Sequence, residues 1–575
     1  MLNKKIAEIF REIADMLELE DEKRVFEVRA YRNAALTIET MQEDIEGIYR
    51  KGGIKALMEL QGIGKTTAGH IEEYIKSGKI KKYEEYKKKY PIDFSSLMRI
   101  QGLGPKRAYR LYAELGVNDV ASLKAAIAAG KVRNLSGFGK RSEEVLQKGI
   151  SLLESSKGRM LLGDVLPEAE AIIRQLKNSG YAERVELAGS ARRMKETVGD
   201  IDILVISSKP DKMANFISKM EDAESVTLSG PTKTTVWLRA GISCDIRVLE
   251  RKSFGAAMQY FIGSKEHNVK LRQIAIKKGY KLNEYGLFDR RGRSVAGEEE
   301  KEIYEKLGMQ YMEPEMREDR GEIEQALKHE IPRLVQREDI RGDLHSHTIY
   351  TDGHESIESM AMAAIAEGFE YLGMTDHSKS EYVTGGMDER KIDAYYREIE
   401  AVGKKLGDRI MLLKSAETDI LKDGSLDLDD KTLEKMDYVL GAIHSNLNMG
   451  EQEMTKRLVS CIESGKVNII AHPTGRLIGR REPIKLNLDK VFQAAKDNGV
   501  VMEIDSFPDR LDLNDENILK AREYGLKFSI DTDSHSSSNF KFIRYGIGTA
   551  KRGWLRKEDV INTLPYEKLM KTFRR

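Results

Sequence analysis

Asp200 and Asp202 are separated by one residue in the run VGDIDILVI, and Asp200 follows Ser190 of a Gly189-Ser190 pair by ten positions. The alternation of Ile201, Ile203 and Val205 with their neighbours predicts a half-buried strand. Residues i and i+2 of a strand share a face, so the two carboxylates project side by side. They repel unless a cation lies between them, and their hard oxygens suit Mg2+ or Mn2+ bound to nucleotide phosphates. Asp245, in a later alternating strand CDIRVL, supplies a third carboxylate. The turn at Gly189 and Ser190 offers backbone N–H groups and a hydroxyl to a triphosphate. This set predicts two-metal nucleotidyl transfer, with Asp200, Asp202 and Asp245 as metal-binding catalytic residues. A DxD alone is commonly a solvated sheet edge; the turn before it and the aspartate after it make the difference.

A second cluster lies toward the other end. Seven of the ten histidines fall between positions 345 and 535, in DLHSHTIYTDGH, GMTDHS, GAIHSN, IAHPTGR and DTDSH, with Glu417 in SAETDI. His345 and His347 are i and i+2 after an acidic strand start, so both imidazoles face one way. A lone histidine is more often a satisfied core or surface residue, but six of them with Glu417 and several aspartates predict a metal cluster.

A third pattern carries no catalytic groups. Gly62-Ile63-Gly64-Lys65, Gly102-Leu103-Gly104-Pro105-Lys106 and Gly137-Phe138-Gly139-Lys140 each place a basic residue just after a Gly-apolar-Gly turn that opens a helix. Glycine permits the turn, and the free N–H groups of the helix N-terminus suit a phosphate. Three such hairpins predict salt-dependent, sequence-independent gripping of a DNA backbone. The Lys/Tyr run KIKKYEEYKKKY at 79–90 is equally a solvated helix face.

The elements that must position these groups follow from length and pattern. At 575 residues, with 40% hydrophobic and 33% charged content, the chain is expected to form about three to four globular domains. Residues 1–158 hold 29 Lys and Arg against 23 Asp and Glu, although the whole chain is only +1, which places a nucleic-acid face at the N-terminal end. Cys244 and Cys461 are too few and too far apart for a disulfide framework, which suits a reducing cytoplasm. The start MLNKKIAEIFREIADML reads as an amphipathic helix, not a signal peptide, and no apolar run reaches membrane-span length. Between the histidines, apolar runs at 371–374, 439–443, 468–471 and 527–530 read as buried parallel strands. Helical stretches at 355–367, 388–406, 451–464 and 487–497 alternate with them. Polar groups at the strand ends of a βα repeat gather on one face of a barrel.

Residues 1–315 resemble the family X DNA polymerases, the group that contains polymerase beta, through GSARR, GDIDILV, the Asp245 strand, SFGAAMQYFIGSKEHNVKLRQIA and EYGLF. The resemblance implies that Gly189, Ser190, Arg193 and Gly199 hold the incoming nucleotide's phosphates. It places Tyr260, Phe261 and Gly263 at the sugar and Asn268 and Arg272 at the nascent pair's minor groove. It makes Gly62, Gly64, Lys65, Gly102, Gly104, Lys106, Gly137 and Gly139 the DNA contacts. Two positions depart from the family: Ile262 stands where threonine is usual, and His70 stands where members with deoxyribose-phosphate lyase activity carry a Schiff-base lysine. Glu27 likewise replaces a basic residue of the 5′-phosphate pocket. A neutral imidazole cannot form a Schiff base, so the lyase is expected to be weak or absent unless Lys65 or a nearby lysine substitutes.

The histidine-rich part resembles the PHP (polymerase and histidinol phosphatase) domain, a distorted (β/α)7 barrel that binds three metals. By that resemblance the ligands are His345, His347, Asp352, His377, Glu417, His444, His472, Asp533 and His535. Mixed imidazole and carboxylate ligation suits a Mn2+ or Zn2+ cluster, which activates water and stabilises a phosphodiester's leaving oxygen. Arg476 and Arg510 are expected at the phosphates, and His354 beside the ligands rather than among them. The run EIDSFPDRLDL departs from the family at Asp505 and Ser506 without losing a ligand.

The expected fold is multidomain α+β and α/β. Helix-hairpin-helix segments span 1–90 and 91–155, a polymerase-beta-like nucleotidyltransferase palm 156–250 and a nucleotide-selection subdomain 251–315. A charged linker with one helix spans 316–337 and lets the nuclease face move relative to the polymerase; the PHP barrel spans 338–575. The expected activity is gap-filling DNA synthesis in repair with a 3′→5′ exonuclease, and abasic-site cleavage as a further reaction open to the same metal centre. Gapped or primer-template DNA and dNTPs are the expected partners, with no membrane, a monomeric state and a cytoplasmic location. The alternatives are a PHP phosphoesterase tethered to DNA and a non-catalytic DNA-end-binding scaffold.

Overall fold

Each Gly-apolar-Gly turn leads into a helix, Lys65–Ser77, Pro105–Leu115 or Lys140–Ser155. One hydrogen bond recurs in all three turns: Ile63 N to Leu60 O (3.1 Å), Leu103 N to Ile100 O (3.1 Å) and Phe138 N to Leu135 O (3.0 Å). The first glycines have φ of +77°, +84° and +80°, where a side chain is disfavoured, and the middle residues Ile63, Leu103 and Phe138 are buried. The computed structural model describes residues 2–20, 24–41, 44–60, 62–98, 100, 102–155 and 158–573, so Gln61 and Gln101 of the hairpin motifs lie outside the described residues. One continuous apolar core, from Ile6 to Ile150, joins the hairpin segments. In the Lys/Tyr run, helix Lys81–Lys89 buries Tyr83 and exposes Lys87, Lys88 and Lys89.

The next segment builds a five-stranded sheet in the order Arg184–Leu187, Asp200–Ile206, Ser243–Leu249, Lys233–Leu238, Ala223–Ser229. The pair Asp200–Ile206 and Ser243–Leu249 is parallel and the other neighbours are antiparallel. Their alternate residues Ile201, Ile203, Val205, Cys244, Ile246 and Val248 share a core with helix Leu162–Asn178. Helices Phe254–Ile262 and Lys265–Lys277 and a small three-stranded antiparallel sheet follow.

The C-terminal part carries two parallel sheets whose strands alternate with helices. One holds Gly342–Asp343, Tyr371–Met374 and Met411–Lys414; the other runs from Glu417–Asp419 through Leu440–Ala442, Ile469–Ile470 and Val501–Asp505 to Phe528–Asp531. Bridges between His377 and Glu417 and between Ser346 and Ser534 join the sheets at both ends and close the ring. Apart from the half-exposed Met411–Lys414, the strands are buried on both sides, as parallel strands enclosed by helices must be. Among the described residues no helix is long and apolar enough to cross a membrane.

The charged segment after the nucleotide-selection part differs from the expected mobile linker. It holds its one helix, Glu322–Lys328, but it is packed as a wedge. Ile323 and Ala326 join the core around Leu271 and Tyr304; Met316 and Leu334 pack with Trp554; Val335 joins the barrel core. Charge hides these apolar positions in the composition, and the charges themselves are paired: fully buried Arg317 donates to the Met312 carbonyl (2.7 Å) and to Glu300. The barrel also seats directly on the palm, where Leu511 and Tyr545 complete its apolar core.

Two candidate metal centres and a nucleic-acid interface

Parallel pairing places Asp202 and Asp245 as register partners on neighbouring strands, with Asp200 two residues away on the same face. Thr235 Oγ1 donates to Asp245 Oδ1 (2.6 Å), and Lys233 Nζ lies 2.6 Å from Oδ2 of the same carboxylate. Burial, with Asp200 and Asp245 beside it, pushes the Asp202 carboxyl up to about 7. That repulsion is what a divalent cation would relieve, so the donor set fits the metal that the motif predicts. Gly189 has φ of +67° and packs directly against Asp202, while Ala188 N donates to the Asp202 carbonyl (2.8 Å). The turn at Gly189 and the carboxylates are therefore held as one unit.

Arg193 is nearly buried: Nε donates to Glu318 Oε1 (3.0 Å) and Nη1 to the Ile262 carbonyl. The unusual Ile262 side chain points into the core, so this position acts through its backbone. Gly263, with φ of +76°, leaves the room that Arg193 fills. Tyr260 and Phe261 meet edge to face at 5.0 Å, and the Arg247 guanidinium lies 4.2 Å over the Phe261 ring. Asn268 donates to the Tyr260 carbonyl (2.7 Å) and accepts from Gln259 (2.6 Å). Ser190, Gly199 and Arg272 are half-buried; Ser190 follows Gly189 in the turn, Gly199 immediately precedes the Asp200 strand and Arg272 lies on helix Lys265–Lys277. Sequence reasoning missed Thr235, Lys233, Arg247, Gln259 and Glu318. Lys233 and Thr235 alternate on a strand facing Asp245, a signal readable only once strand order is known.

In the barrel, Glu417 sits at the centre. Its oxygens lie 2.9 Å from His377 Nδ1, 3.0 Å from His444 Nε2, 2.7 Å from His472 Nε2, and 3.5 and 3.6 Å from His345 and His347 Nε2. Asp533 lies 3.1 Å from His347 and 3.4 Å from His345, and Asp352 lies 3.2 Å from His535 and 3.4 Å from His377. Three groupings hold their ligand atoms within 4.8 Å of one another: His347, Asp352, His377 and His535; His345, His347 and Asp533; His377, Glu417 and His444. Buried His345 Nε2 and His347 Nε2, the nitrogens that face Glu417 and Asp533, make no hydrogen bond, as nitrogens reserved for metal would not. Burial, with Arg510 beside it, pushes the His472 imidazole down to about 3, whereas against their burial Glu417 draws His444, and Asp352 draws His535, up to about 9.

Outer groups orient these ligands. Glu503 accepts from His345 Nδ1 (2.7 Å) and from His472 N (2.5 Å), which aims His345 Nε2 into the cluster. Asp376 accepts from the Thr348 and Thr351 amides (both 3.0 Å) in the loop between His347 and Asp352. Asp419 and Glu381 form a further grouping with His444. Sequence reasoning missed all four; Glu503 is two residues before Asp505 on a strand, and i, i+2 spacing was its available signal. Arg510 Nε lies 3.4 Å from Asp505 and 3.7 Å from Asp533, at the cluster's rim. Arg476 is directed elsewhere, to Glu196 of the palm (2.7 Å) and the Leu511 carbonyl (2.7 Å). His354 donates its amide to the His535 carbonyl (2.8 Å) and lies outside the ligand groupings.

At the hairpins, Lys65, Lys106 and Lys140 are exposed, and nothing stands within 4 Å of a side chain added at Gly64, Gly104 or Gly139. A phosphate can therefore reach those helix N-termini. Arg107 donates to the Gly102 carbonyl (2.5 Å) and lies 4.4 Å over the Phe138 ring, tying the second turn to the third. His70 stacks on Tyr31 at 6.1 Å with Nδ1 3.4 Å from Glu73, and Glu27 lies 3.4 Å from Lys82.

Four segments match known families: residues 1–80 a helix-hairpin-helix domain, 94–150 a SAM-like helix-hairpin-helix tandem, 257–318 the DNA polymerase beta thumb and 343–507 the PHP domain. A Bacillus subtilis (strain 168) protein named DNA polymerase/3'-5' exonuclease PolX is 35% identical over 98% of this chain and 97% of its own. DNA polymerase lambda of Arabidopsis thaliana is 27% identical over 55% of this chain and 62% of its own. A probable phosphatase of Thermoanaerobacter sp. (strain X514) is 27% identical over 38% of this chain and 89% of its own. A crystal structure of Leishmania infantum polymerase beta, a ternary P/T complex, aligns with TM-score 0.26 and 24% identity over 39% of this chain and 97% of that one. With hairpin, thumb and PHP segments in one chain and near full-length identity to that Bacillus protein, the chain belongs to the PolX family, family X DNA polymerases that carry a PHP domain.

Proposed function

We propose that the chain fills short gaps in DNA at the palm and removes 3′ nucleotides at the barrel. The observation that carries the first activity is the register pairing of Asp202 with Asp245 beside the Gly189–Ser190 turn. Asp200, Asp202 and Asp245 would hold Mg2+ or Mn2+, with Asp245 on the primer 3′-OH side, and the bound metal would supply charge stabilisation at the reacting phosphate and lower the hydroxyl's pKa. Ser190 and Arg193 orient the triphosphate, with Gly189 and Gly199 contributing backbone N–H groups. Tyr260, Phe261 and Gly263 bound the sugar, so an added 2′-OH meets the aromatic pair. Asn268 and Arg272 face the nascent base pair, which requires Asn268 to leave its bond to Tyr260 or to carry it along.

In the barrel, His345, His347, Asp352, His377, Glu417, His444, His472, Asp533 and His535 would hold a Mn2+ or Zn2+ cluster, which would supply an activated water when bound. Glu503 keeps His345 in the tautomer that ligates, and Arg510 pairs with the scissile phosphate. The three hairpins grip gapped or primer-template DNA through Gly62, Gly64, Lys65, Gly102, Gly104, Lys106, Gly137 and Gly139, and the protein works as a monomer. The division at residues 90, 155, 250, 315 and 337 is part of this reading. A phosphoesterase merely tethered to DNA would use the barrel alone, as the Thermoanaerobacter phosphatase's alignment over 38% of the chain suggests. Primer extension across a one-nucleotide gap with Mg2+ or Mn2+, for the wild type and Asp200→Ala, decides: extension by the first alone supports the polymerase, and extension by neither supports the tethered phosphoesterase.

A further inference from the structure

The barrel touches the nucleotide-phosphate arginine of the palm. Helix Ile543–Arg552 of the barrel ends on Arg552, which is 4% exposed. Arg552 Nη1 donates to the Arg193 carbonyl (2.9 Å) and to Glu318 Oε1 (2.9 Å), while Nη2 donates to Asp515 Oδ2 (2.6 Å). The same Glu318 oxygen accepts from Arg193 Nε (3.0 Å), and Lys195 Nζ lies 3.6 Å from the other. Asp515 in turn accepts from Arg320 Nη1 (3.0 Å). The helix rests on the turn itself: a side chain added at Gly548 would stand 2.7 Å from the end of Met194, the residue after Arg193.

We propose that Arg552 is a positioning residue for nucleotide binding in the palm, acting through Glu318 on Arg193. The inference rests on the polymerase reading above. Glu318 is one carboxylate shared by two guanidinium groups. While Arg552 holds part of its charge, Arg193 keeps unneutralised charge to offer a triphosphate, and its backbone is fixed by the bond to its carbonyl. Without Arg552, the Glu318 oxygen that Arg193 contacts is no longer shared, with only Lys195 3.6 Å from the other oxygen, and an incoming triphosphate must compete with Glu318 in a largely dry setting where such competition is strong. The polymerase site is thereby completed by a residue 359 positions away in the nuclease domain.

The test is steady-state gap filling by the full chain for Arg552→Met, Glu318→Gln and the double variant, with 3′→5′ degradation as the folding control. Arg552 stands outside the metal cluster, so degradation should persist. The expected result is a dNTP KM raised about tenfold for Arg552→Met with kcat within about twofold, as loss of a buried charge-assisted pair gives. Adding Glu318→Gln should bring that KM part of the way back, because the competing charge is gone; additive losses overturn the proposal. An unchanged KM, or a loss confined to kcat, also overturns it. If Arg552→Met loses degradation as well, Arg552→Lys decides: it keeps a charge for Glu318, so a KM restored toward the wild type supports the charge sharing and a KM as high as that of Arg552→Met overturns it. Absent extension by the wild type sinks the polymerase reading instead, which keeps the two failures apart.

Discussion

Gly189 and Asp202 are packed so closely that a side chain at 189 collides with the Asp202 carboxylate and stands 3.2 Å from its Cγ. The turn proposed to meet the triphosphate is thus built against the carboxylate proposed to meet the metal. Gly189→Ala would both strain a φ of +67° and push Asp202 from its register partner Asp245. It is expected to cut primer extension by about a hundredfold, in line with a misplaced charge-stabilising group, and to leave 3′→5′ degradation intact. Near-normal extension in a gapped-substrate assay would remove the steric argument.

Asp245→Ala should abolish extension yet leave DNA affinity nearly unchanged, because its partners are Thr235 and Lys233 rather than the hairpins. A rate loss of about 10^2- to 10^3-fold or more is expected for losing charge stabilisation at the reacting phosphate. Single-turnover extension beside a binding titration measures both. A variant that extends normally contradicts its place at the metal.

The two centres should come apart by mutation. His345→Ala removes a ligand that lies within 3.5 Å of both Glu417 and Asp533, so degradation of a labelled primer is expected to vanish while extension continues. Asp200→Ala with Asp202→Ala should do the reverse. Persistent degradation by His345→Ala would move the exonuclease out of the barrel.

Asp202 carries a pH signature. Its folded-state carboxyl is pushed up to about 7 by burial and by Asp200 and Asp245. For a raised carboxylate, the stabilising contribution is fully present below the ordinary value near 3.8 and is lost as pH rises through about 7. A divalent cation binds the ionised form, so it should offset this loss and bind more weakly as pH falls through about 7. In a variant whose barrel cluster is disabled by His345→Ala, the melting-temperature gain from Mg2+ should be larger at pH 8 than at pH 6. An equal gain at both would show that Asp202 stays ionised without metal.

Alanine at Gly62, Gly64, Gly102 and Gly104 should weaken binding to every DNA sequence alike. The turns at Gly62 and Gly102 have φ of +77° and +84°, and the glycines after them leave the helix ends open. Loss of a few phosphate contacts makes the dependence of affinity on salt shallower. Titration of gapped DNA at two salt concentrations reads the slope, and an unchanged slope with unchanged affinity would refute backbone gripping.

What the chain's sequence determined by itself is local and periodic. Asp200 and Asp202 share a face because strand side chains alternate, and the three hairpin turns repeat because each needs glycine, an apolar anchor and a free helix start. Several candidate ligands of the barrel were readable for the same reason: His377, His444 and His472 each follow a short apolar run and stand just past a strand's end. The tertiary structure alone decided which distant groups meet. Glu503 orients His345 across 158 positions, Lys233 and Thr235 reach Asp245 only through the strand order, and Arg476 turns to Glu196 rather than to the cluster. The segment after residue 313 reads as a solvated linker because charge dominates its composition. It is a wedge because its few apolar residues bury on both sides while Arg317, Glu322 and Glu318 find partners. Burial of a charge depends on the arrival of its counter-charge from another domain, and no window of neighbouring residues carries that information.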